Sequence, residues 1–438
     1  GFFIMGLFTS AGHVHLFGHK ELSKDQDVIV VKPQKGFKVY FPTMAPNKSL
    51  INYEIKPGDK VKAGQKIGTR TDFEVPIYSS VSGVVKENEN VLHASIGAAI
   101  PHIVIESDGE MTTVESFKKV ALKDKKEKIF AAIKEAGIVG MGGAGFPLYI
   151  KYTTDAEIDT LLVNAVECEP FLTTDYKSTK ADAEALVLGI QYLMKVKDIE
   201  KAIVCIKVHK EAARDAVKEA IKEFDNIHVV EVPDAYPMGW ERTLIKKVLK
   251  RTYVKLPAEA HVIVNNVQSV ISIGKSLSTG NAILTRLVTV SGDAIAYPCN
   301  VEVPLGTPAN ILIEKCGGYS YDGEISVLPG GPMCSKAVSA DNFPIHLPNG
   351  AITILKYVKI PAESCLRCGR CVEHCPANLR PIFLKDVFES KNVDRMIELH
   401  AMDCIECGSC SYICPSHIDV SDYVKKCKAL VRMRQAKK

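Results

Sequence analysis

Apolar and polar residues follow different periods along the chain, and the changes of period divide it into segments. Between about residues 27 and 107, short apolar runs such as Val28–Val31 are separated by turn sequences such as Pro57-Gly58-Asp59 and Ala63-Gly64-Gln65. Short runs bounded by glycine and proline are typical of β structure. We therefore predict a β domain at residues 27–107, preceded by an extension at residues 1–26.

A helical period begins near residue 124. The apolar residues of Asp124–Ala136 fall on one helix face, and Gly137 is a natural helix stop. Alternation of buried strands and amphipathic helices is typical of a parallel sheet covered by helices. We therefore predict a Rossmann-like α/β domain at residues 124–257, with strands at Thr160–Val163 and Ala202–Ile206 and helices at Ala181–Met194 and Glu211–Phe224.

The remainder of the chain contains two further segments. Turn sequences such as Ser291-Gly292-Asp293 and Gly330-Gly331-Pro332 predict a second β-rich segment, which we place at residues 258–345. Residues 357–430 are predicted to be helical and carry two cysteine clusters. The whole chain is therefore predicted to be a multidomain α/β protein.

Composition narrows the function classes. The 438 residues are 46% hydrophobic and 24% charged, which is ordinary for globular domains. A net charge of +4 is too small to indicate a nucleic-acid surface. Apolar runs such as Val262–Val264 are much shorter than the roughly 20 residues of a membrane-spanning helix. We expect the apolar start, Phe2 to Met5, to pack against the protein or a partner.

Cysteine spacing predicts two iron–sulfur clusters. Two C-x-x-C-x-x-C-x-x-x-C runs, each followed by proline, are typical of bacterial two-cluster ferredoxins, in which the fourth cysteine binds the other cluster. Zinc also accepts four cysteines, but it does not require this doubled run. The expected ligands are Cys365, Cys368, Cys371 and Cys414 for cluster one, and Cys404, Cys407, Cys410 and Cys375 for cluster two. We predict Cys205, Cys299, Cys316 and Cys334 to be isolated, buried thiols.

A glycine-rich loop, Gly140–Pro147, follows the predicted helix Asp124–Ala136. Closely spaced glycines let backbone N–H groups approach a phosphate. The loop lacks both the dinucleotide G-x-G-x-x-G frame and the Gly-Lys-Ser/Thr of a Walker loop, so a plain turn is the alternative.

The loop and two later phrases, Asn164–Pro170 and Val264–Val267, resemble the NADH-oxidising FMN subunit of respiratory complex I. The resemblance implies that FMN and NAD(H) bind here. It implies that Glu167 and Glu169 recognise the nicotinamide or ribose. These two glutamates are our candidates for the catalytic residues. The residues that the resemblance implies for cofactor binding are Gly140, Gly142, Gly143, Gly145, Lys151, Asn164, Asn265 and Asn266. We add Glu241 as a further cofactor-binding candidate, with a solvated helix face as the alternative.

The order of segments resembles the RnfC family of Rnf electron-transport complexes. The phrases Lys56–Gly68 and Pro76–Val85 resemble the hairpins of lipoyl-type barrel sandwiches, and the second β segment resembles an SLBB-like β-grasp domain. The resemblance implies a peripheral subunit at the cytoplasmic face of the membrane, without a transmembrane segment. Such a subunit would exchange hydride between NAD(H) and FMN. It would relay single electrons through two 4Fe–4S clusters to other subunits, including a ferredoxin-like one.

Two other functions stay open at this point. Trp240 stands where the family usually has glycine beside the nucleotide pocket, which suits a soluble relative that feeds a substrate reductase or a corrinoid. A flavin-free, ferredoxin-like adaptor is the third possibility. Membrane co-purification separates the first two functions, and a flavin spectrum tests the third.

Overall fold

Two antiparallel sheets form the first domain, a barrel sandwich around Val39, Phe41, Ile67 and Val85. The computed structural model describes residues 12–436, so Phe2 to Met5 lie outside the described residues. One sheet has the order β2-β8-β7-β4 and the other β3-β5-β6, with β1 Val28–Val30, β2 Lys38–Pro42, β3 Ile51–Tyr53, β4 Lys60–Val61, β5 Lys66–Arg70, β6 Pro76–Tyr78, β7 Gly83–His93 and β8 Ala98–Ser107.

The first strand does not belong to this sandwich. Strand β1 pairs in parallel with the strand Cys299–Pro304, with Val28 opposite Asn300 and Val30 opposite Glu302. The strand therefore lies within the predicted bounds of the first β domain but pairs in another sheet. A three-residue strand buries too little to choose its own sheet, so tertiary pairing decides its place.

A four-stranded parallel sheet with the order β11-β10-β9-β12 forms the centre of the α/β domain, as predicted. Helices α3 and α6 pack so closely that Gly189 and Gly274 each face the backbone of the other helix. The elements are α1 Lys126–Glu135, β9 Thr160–Ala165, α2 Thr174–Ala181, α3 Ala183–Lys197, β10 Lys201–Lys207, α4 Glu211–Ala220, β11 Ile227–Val232, α5 Glu241–Leu249, β12 Val262–Asn266 and α6 Val267–Thr279, with short 3-10 helices at Leu148–Tyr152 and Pro257–Ala260.

The α/β domain extends beyond its predicted end at residue 257. Strand β12 pairs in parallel with β9, and helix α6 packs on α3, so both belong to this domain. A buried parallel strand and a buried helix give no composition change, so the sequence has no local signal for this extension.

The β-grasp domain contains a five-stranded sheet with the order β1-β14-β13-β16-β15. Its last strand in the sequence, Ala351–Lys356, lies beyond the predicted end at residue 345. The elements are β13 Thr285–Gly292, β14 Cys299–Pro304, α7 Ala309–Lys315, β15 Ile325–Leu328 and β16 Ala351–Lys356.

Short helices around a small core form the C-terminal domain. Leu384, Met396, Val424 and Cys427 are buried together there. Within residues 12–436, no helix is both long enough and apolar enough to cross a bilayer. The elements are α8 Arg370–Glu373, α9 Pro381–Glu389, α10 Val393–Glu398, α11 Ser409–Tyr412 and α12 Val420–Gln435, with a 3-10 turn at Ala401–Asp403.

The described part of the N-terminal extension joins two domains. Val14 and Tyr236 exchange two backbone hydrogen bonds of 2.9 Å, and the Gly12 N–H donates to the Glu373 carbonyl at 2.9 Å. The extension thus connects the α/β domain with the helical domain, and it places the 3-10 turn Lys20–Leu22 beside the loop after β9.

Candidate functional site

The glycine-rich loop lies beside the carboxyl end of the parallel sheet, where α/β sheets bind ligands. Gly143 and Gly145 have φ angles of +104° and +62°, which disfavour other residues. A Cβ atom on Gly142 would lie 3.3 Å from Asn266 Nδ2, so the loop packs directly against the end of β12. Gly142 and Gly143 are exposed, which leaves their backbone N–H groups accessible to a phosphate.

Three predicted asparagines meet at this edge because β9 and β12 are neighbours. Asn164 pairs with Asn266 across the two strands, and its Nδ2 donates to the Gly239 carbonyl at 2.7 Å. Asn266 caps helix α6 by accepting from Gln268 N at 3.0 Å. Asn265 is buried and donates to the Tyr152 hydroxyl at 2.6 Å, so its amide stabilises the edge from inside the domain.

Lys151 and Glu241, predicted separately as cofactor-binding residues, form an ion pair of 3.0 Å. Lys151 Nζ also donates to the Val264 carbonyl at 2.6 Å, which fixes the ammonium group beside β12. Both side chains are partly exposed. A cation held at the end of a parallel strand is suited to a phosphate group.

Glu167 and Glu169 follow β9 but have different surroundings. Glu167 has a φ angle of +46°, and its Oε1 accepts from Asp175 N at 2.8 Å. Glu169 Oε2 accepts from Met333 N at 3.0 Å. In the described part of the chain, Glu167 Oε2 and Glu169 Oε1 are buried without a hydrogen-bond partner. Glu167 Oε2 nevertheless lies 3.6 Å from Lys20 Nζ, within an ion pair, so Glu169 Oε1 is the carboxylate oxygen that this arrangement leaves for ligand contact.

Lys20 organises the loop that carries both glutamates, a role that sequence reasoning missed. Its Nζ donates to the carbonyls of Glu167 at 3.1 Å and Glu169 at 2.8 Å, and also to that of Leu172. Burial lowers the pKa of Lys20 to about 8, while the nearby Glu167 carboxylate opposes the shift. The contact partner of Lys20 lies 147 residues away in the sequence, and no local pattern around Lys20 indicates it.

Asp175 and Arg286 form a second buried network that the sequence did not reveal. Asp175 accepts from Asn266 Nδ2 at 3.0 Å and from Gln268 Nε2 at 2.5 Å. Gln268 in turn accepts from Arg286, whose guanidinium also donates to the Met141 carbonyl at 3.0 Å. Burial and the neighbouring Glu167 raise the pKa of Asp175 to about 6. The network links the glycine-rich loop to the β-grasp domain.

The eight motif cysteines lie around two cavities, in the groups that the crossed pairing predicts. One cavity is lined by Cys365, Cys368, Cys371 and Cys414, and the other by Cys375, Cys404, Cys407 and Cys410. Among residues 12–436, no three His, Cys, Asp or Glu side chains are grouped as for a single metal ion. A four-iron cluster instead takes one thiolate at each iron and spreads the four around itself.

Backbone N–H groups point at several of these sulfurs. Leu379 N lies 3.3 Å from Cys375 Sγ, and Glu406 N lies 3.3 Å from Cys404 Sγ. Such donors stabilise thiolates and raise cluster potentials. Burial raises the pKa of the Cys404 thiol to about 11, so bound metal charge is needed to hold it deprotonated at neutral pH.

The second cysteine cavity adjoins the carboxyl edge through the loop Gly330–Ser335. Met333 N donates a hydrogen bond to Glu169. The Met333 carbonyl packs against Gly408, where an added Cβ atom would lie only 2.6 Å from the carbonyl oxygen. Tyr236 donates to the Cys407 carbonyl at 2.7 Å. Cys334 in this loop is exposed and lies 3.2 Å from the Tyr236 hydroxyl, so its prediction as an isolated, buried thiol is wrong.

The prediction for Cys299 and Cys316 is wrong in one respect. Both thiols are buried as expected, but their sulfurs lie 3.1 Å apart, so they are not isolated. Strand β14 and helix α7 bring them together, and their spacing of 17 positions in the sequence gave no signal of contact.

Trp240 lies at the N-terminus of α5 and lines a groove of about 750 Å³. The groove runs between α5 and the loop after Cys375, and its other side chains include Arg242, Lys246 and Lys247. The single tryptophan is therefore at the junction of the α/β and helical domains.

Comparison with known families assigns each of the four domains. The RnfC barrel sandwich hybrid domain matches residues 8–110, and the Nuo51 FMN-binding domain matches residues 133–275. The SLBB domain matches residues 287–337, and the 4Fe–4S dicluster domain matches residues 357–415. These matches confirm the predicted fold class and the predicted flavin and iron–sulfur cofactors.

Three curated relatives, all RnfC-type subunits, are similar over most of the chain. The one from the proton-translocating ferredoxin:NAD+ oxidoreductase complex of Clostridium ljungdahlii is 35% identical over 80% of each chain. The one from the Na+-translocating ferredoxin:NAD+ oxidoreductase complex of Acetobacterium woodii is 35% identical over 78% of this chain and 79% of its own. The one from the ion-translocating oxidoreductase complex of Rhodobacter capsulatus is 31% identical over 86% of this chain and 74% of its own.

Fold and site together define an oxidoreductase subunit that combines an FMN domain with two 4Fe–4S clusters. The chain belongs to the RnfC family of ion-translocating oxidoreductase complexes, which confirms the predicted family.

Proposed function

We propose that this chain is the NAD(H)- and FMN-binding subunit of a membrane-bound ferredoxin:NAD oxidoreductase complex. It exchanges electrons with NAD(H) and transfers electrons to or from the other subunits of the complex. When bound, FMN accepts a hydride from a nicotinamide and releases electrons singly, which suits one-electron 4Fe–4S clusters. The chain's own residues would bind and orient these groups.

One observation carries this proposal: the carboxyl edge of the α/β sheet is bonded directly to the cluster-two loop. Glu169 accepts a hydrogen bond from Met333 N, and the Met333 carbonyl contacts Gly408. Tyr236 donates a hydrogen bond to the Cys407 carbonyl. A flavin site and a cluster site separated by so few bonded residues favour electron transfer between them. This contact distinguishes the proposal from a ferredoxin-like adaptor with an unused flavin fold.

The edge residues divide into two groups by their chemistry. Lys151 and the N–H groups of Gly142 and Gly143 would hold the phosphate of FMN, because they supply positive charge and exposed donors. Gly140, Gly145, Asn164 and Asn266 would shape the rest of that site, with Asn265 and Glu241 as its supports. Glu167 and Glu169 would accept hydrogen bonds from the nicotinamide or ribose through their carboxylate oxygens.

The eight cysteines would bind the clusters in the crossed groups that line the two cavities. The other subunits of the complex would then exchange electrons with cluster one, whose cavity is lined by the exposed Cys368. We place the chain at the cytoplasmic face of the membrane, held there by its partner subunits. Relatives named as complex subunits favour this function over a soluble reductase.

An anaerobic titration tests the proposal. The chain is reconstituted with iron, sulfide and FMN, and NADH is added while the flavin and iron–sulfur absorption bands are recorded. We expect both bands to bleach. Bound FMN that NADH does not reduce would contradict the NAD(H) assignment and favour a soluble relative with another electron donor. Membrane co-sedimentation in cells with and without the partner subunits then tests the location.

A further inference from the structure

The N-terminal extension packs against the loop between β9 and α2, residues 166–173, which we call the glutamate loop. The Phe171 N–H donates to the Gly18 carbonyl at 2.6 Å. The His19 ring stacks on the Phe171 ring, with 4.8 Å between the ring centroids and 13° between the ring planes. Two consecutive residues of the extension therefore contact one residue of this loop.

Lys20, the next residue of the extension, directs its donors at the same loop. Its Nζ atom donates to the backbone carbonyls of Glu167 at 3.1 Å, of Glu169 at 2.8 Å, and of Leu172. Its pKa is about 8, so at neutral pH the side chain is an ammonium group with three N–H donors. Three carbonyls therefore use all three donors, and none is left for a ligand. The Glu167 carboxylate, 3.6 Å away, compensates the charge.

Two residues of the glutamate loop have left-handed backbone conformations although neither is glycine. Glu167 has a φ angle of +46° and Phe171 one of +69°. This region is unfavourable for residues with a Cβ atom, so such conformations persist where surrounding contacts fix them. The extension supplies contacts to both, since Lys20 binds the Glu167 carbonyl and Gly18 and His19 bind Phe171. It therefore stabilises a loop conformation that the backbone of the loop disfavours.

The conformation of the loop determines the position of Glu169. This residue is partly exposed at the carboxyl edge, and its Oε2 accepts from Met333 N at 3.0 Å. The Met333 contact fixes the end of the side chain, and the Lys20 contact fixes the backbone carbonyl. A group that recognises a ligand has to be held within about 0.5 Å of its productive position. Loss of the Lys20 contacts would release the loop and displace the glutamate.

We propose that Lys20 is a positioning residue for NAD(H) binding, which holds the glutamate loop so that Glu167 and Glu169 meet the nicotinamide or ribose. The inference rests on the proposed function, because it takes the nucleotide to bind at these two glutamates. It adds that the α/β domain does not form the nucleotide site alone. A residue of the extension, 147 positions before Glu167, completes the site.

Calorimetry with NAD+ tests this proposal on the full chain, reconstituted with its clusters and FMN and kept oxidised. Oxidised FMN does not react with NAD+, so the titration measures binding without turnover. Lys20→Met removes all three donors and keeps an unbranched side chain. We expect its dissociation constant for NAD+ to rise about tenfold or more, the effect of losing one hydrogen bond to a charged group. The flavin absorption band should show that FMN stays bound.

Lys24→Met is the matched control. Lys24 lies in the same extension, and among the described ion pairs it pairs only with its neighbour Asp25. The control variant should bind NAD+ as tightly as the unmodified chain. An equal loss of affinity in Lys24→Met and Lys20→Met would overturn the proposal, because the effect would then not be specific to the contacts of Lys20.

A double-mutant cycle separates positioning from a general loss of structure. If Lys20 acts through the glutamate, replacing it in a Glu169→Ala background should raise the dissociation constant for NAD+ by no more than about threefold. Equal effects of Lys20→Met in the two backgrounds would overturn the proposal. His19→Ala removes a half-exposed ring that stacks on Phe171, and it should weaken NAD+ binding about 2- to 5-fold.

The outcomes distinguish this proposal from the proposed function. Unchanged NAD+ affinity in Lys20→Met with FMN bound would overturn the role of Lys20 and leave the proposed function standing. If Lys20→Met loses its FMN, His19→Ala decides, and unchanged affinity in that variant would overturn the role of the extension. Failure of the unmodified chain to bind NAD+ would overturn both.

Discussion

The hydroxyl group of Tyr236 donates a 2.7 Å hydrogen bond to the backbone carbonyl of Cys407, 171 residues further along the chain. Tyr236 follows β11, the strand at one edge of the α/β sheet, and Cys407 lies in the second iron–sulfur motif. The bond therefore connects the proposed nucleotide site to cluster two, and not to cluster one. The two clusters therefore differ in their connection to the α/β domain.

Replacing Tyr236 with phenylalanine should make the potential of cluster two more negative. Loss of a donor to the Cys407 carbonyl leaves more electron density at the ligand and disfavours reduction. A bond of about 1 kcal/mol corresponds to at most about 40 mV for one electron. An electron paramagnetic resonance titration measures both clusters. The potential of cluster one should not change, and Tyr297→Phe at an exposed site should change neither. A shift confined to cluster one would contradict the geometry.

Single cysteine variants test the crossed ligand groups. Cys375→Ser should remove cluster two, although Cys375 belongs to the first sequence motif, because it lines the cavity of Cys404 and Cys407. Iron analysis should show about half of the iron lost, and the signal of cluster one should persist. Cys427→Ser is the control, since this buried thiol donates to the Leu384 carbonyl and should not affect iron content. Loss of cluster one in Cys375→Ser would refute the crossed scheme.

Lys151→Met should weaken FMN binding about tenfold or more, because it removes the cation beside β12 and leaves Glu241 unpaired. Fluorescence of FMN during equilibrium dialysis measures the dissociation constant. Lys128→Met is a suitable control, since Lys128 lies on helix α1 and pairs only with Asp124 among the described ion pairs. Full FMN affinity in Lys151→Met would remove Lys151 from the proposed site.

Asp175 should make the flavin-free protein less stable as the pH rises from about 4 to 6. Its pKa is raised from 3.8 to about 6, so the folded state binds more protons than the unfolded state across this range. The shift is worth at most about 3 kcal/mol, lost as the pH rises through the folded pKa.

Thermal unfolding of the flavin-free chain and of Asp175→Asn, measured between pH 4 and 7, checks this effect. The difference in stability between the unmodified chain and the variant should move in favour of the variant as the pH rises. Asp225→Asn, at an exposed site, should show no such pH dependence relative to the unmodified chain. A constant difference for Asp175→Asn would show that the carboxyl group titrates normally.

Much of the fold could be predicted because its signals are local. The period of Asp124–Ala136 and the alternation from Thr160 onward are read within a few residues, and the structure has α1, β9 and β10 there. The sequence did not indicate which sheets strands β1, β12 and β16 join, because these strands are assigned by their partners in space. Such pairing has no local signature.

By itself, the sequence determined the chemistry: the cysteine spacing required by two clusters, the glycines of the loop and the carboxyl-edge phrases are fixed by short-range geometry. Only the tertiary structure decided which groups act together. It paired Lys151 with Glu241 and placed Lys20 beside the loop that carries Glu167 and Glu169. These contacts join residues tens to hundreds of positions apart. They depend on how elements and domains pack in space, which no short stretch of sequence specifies.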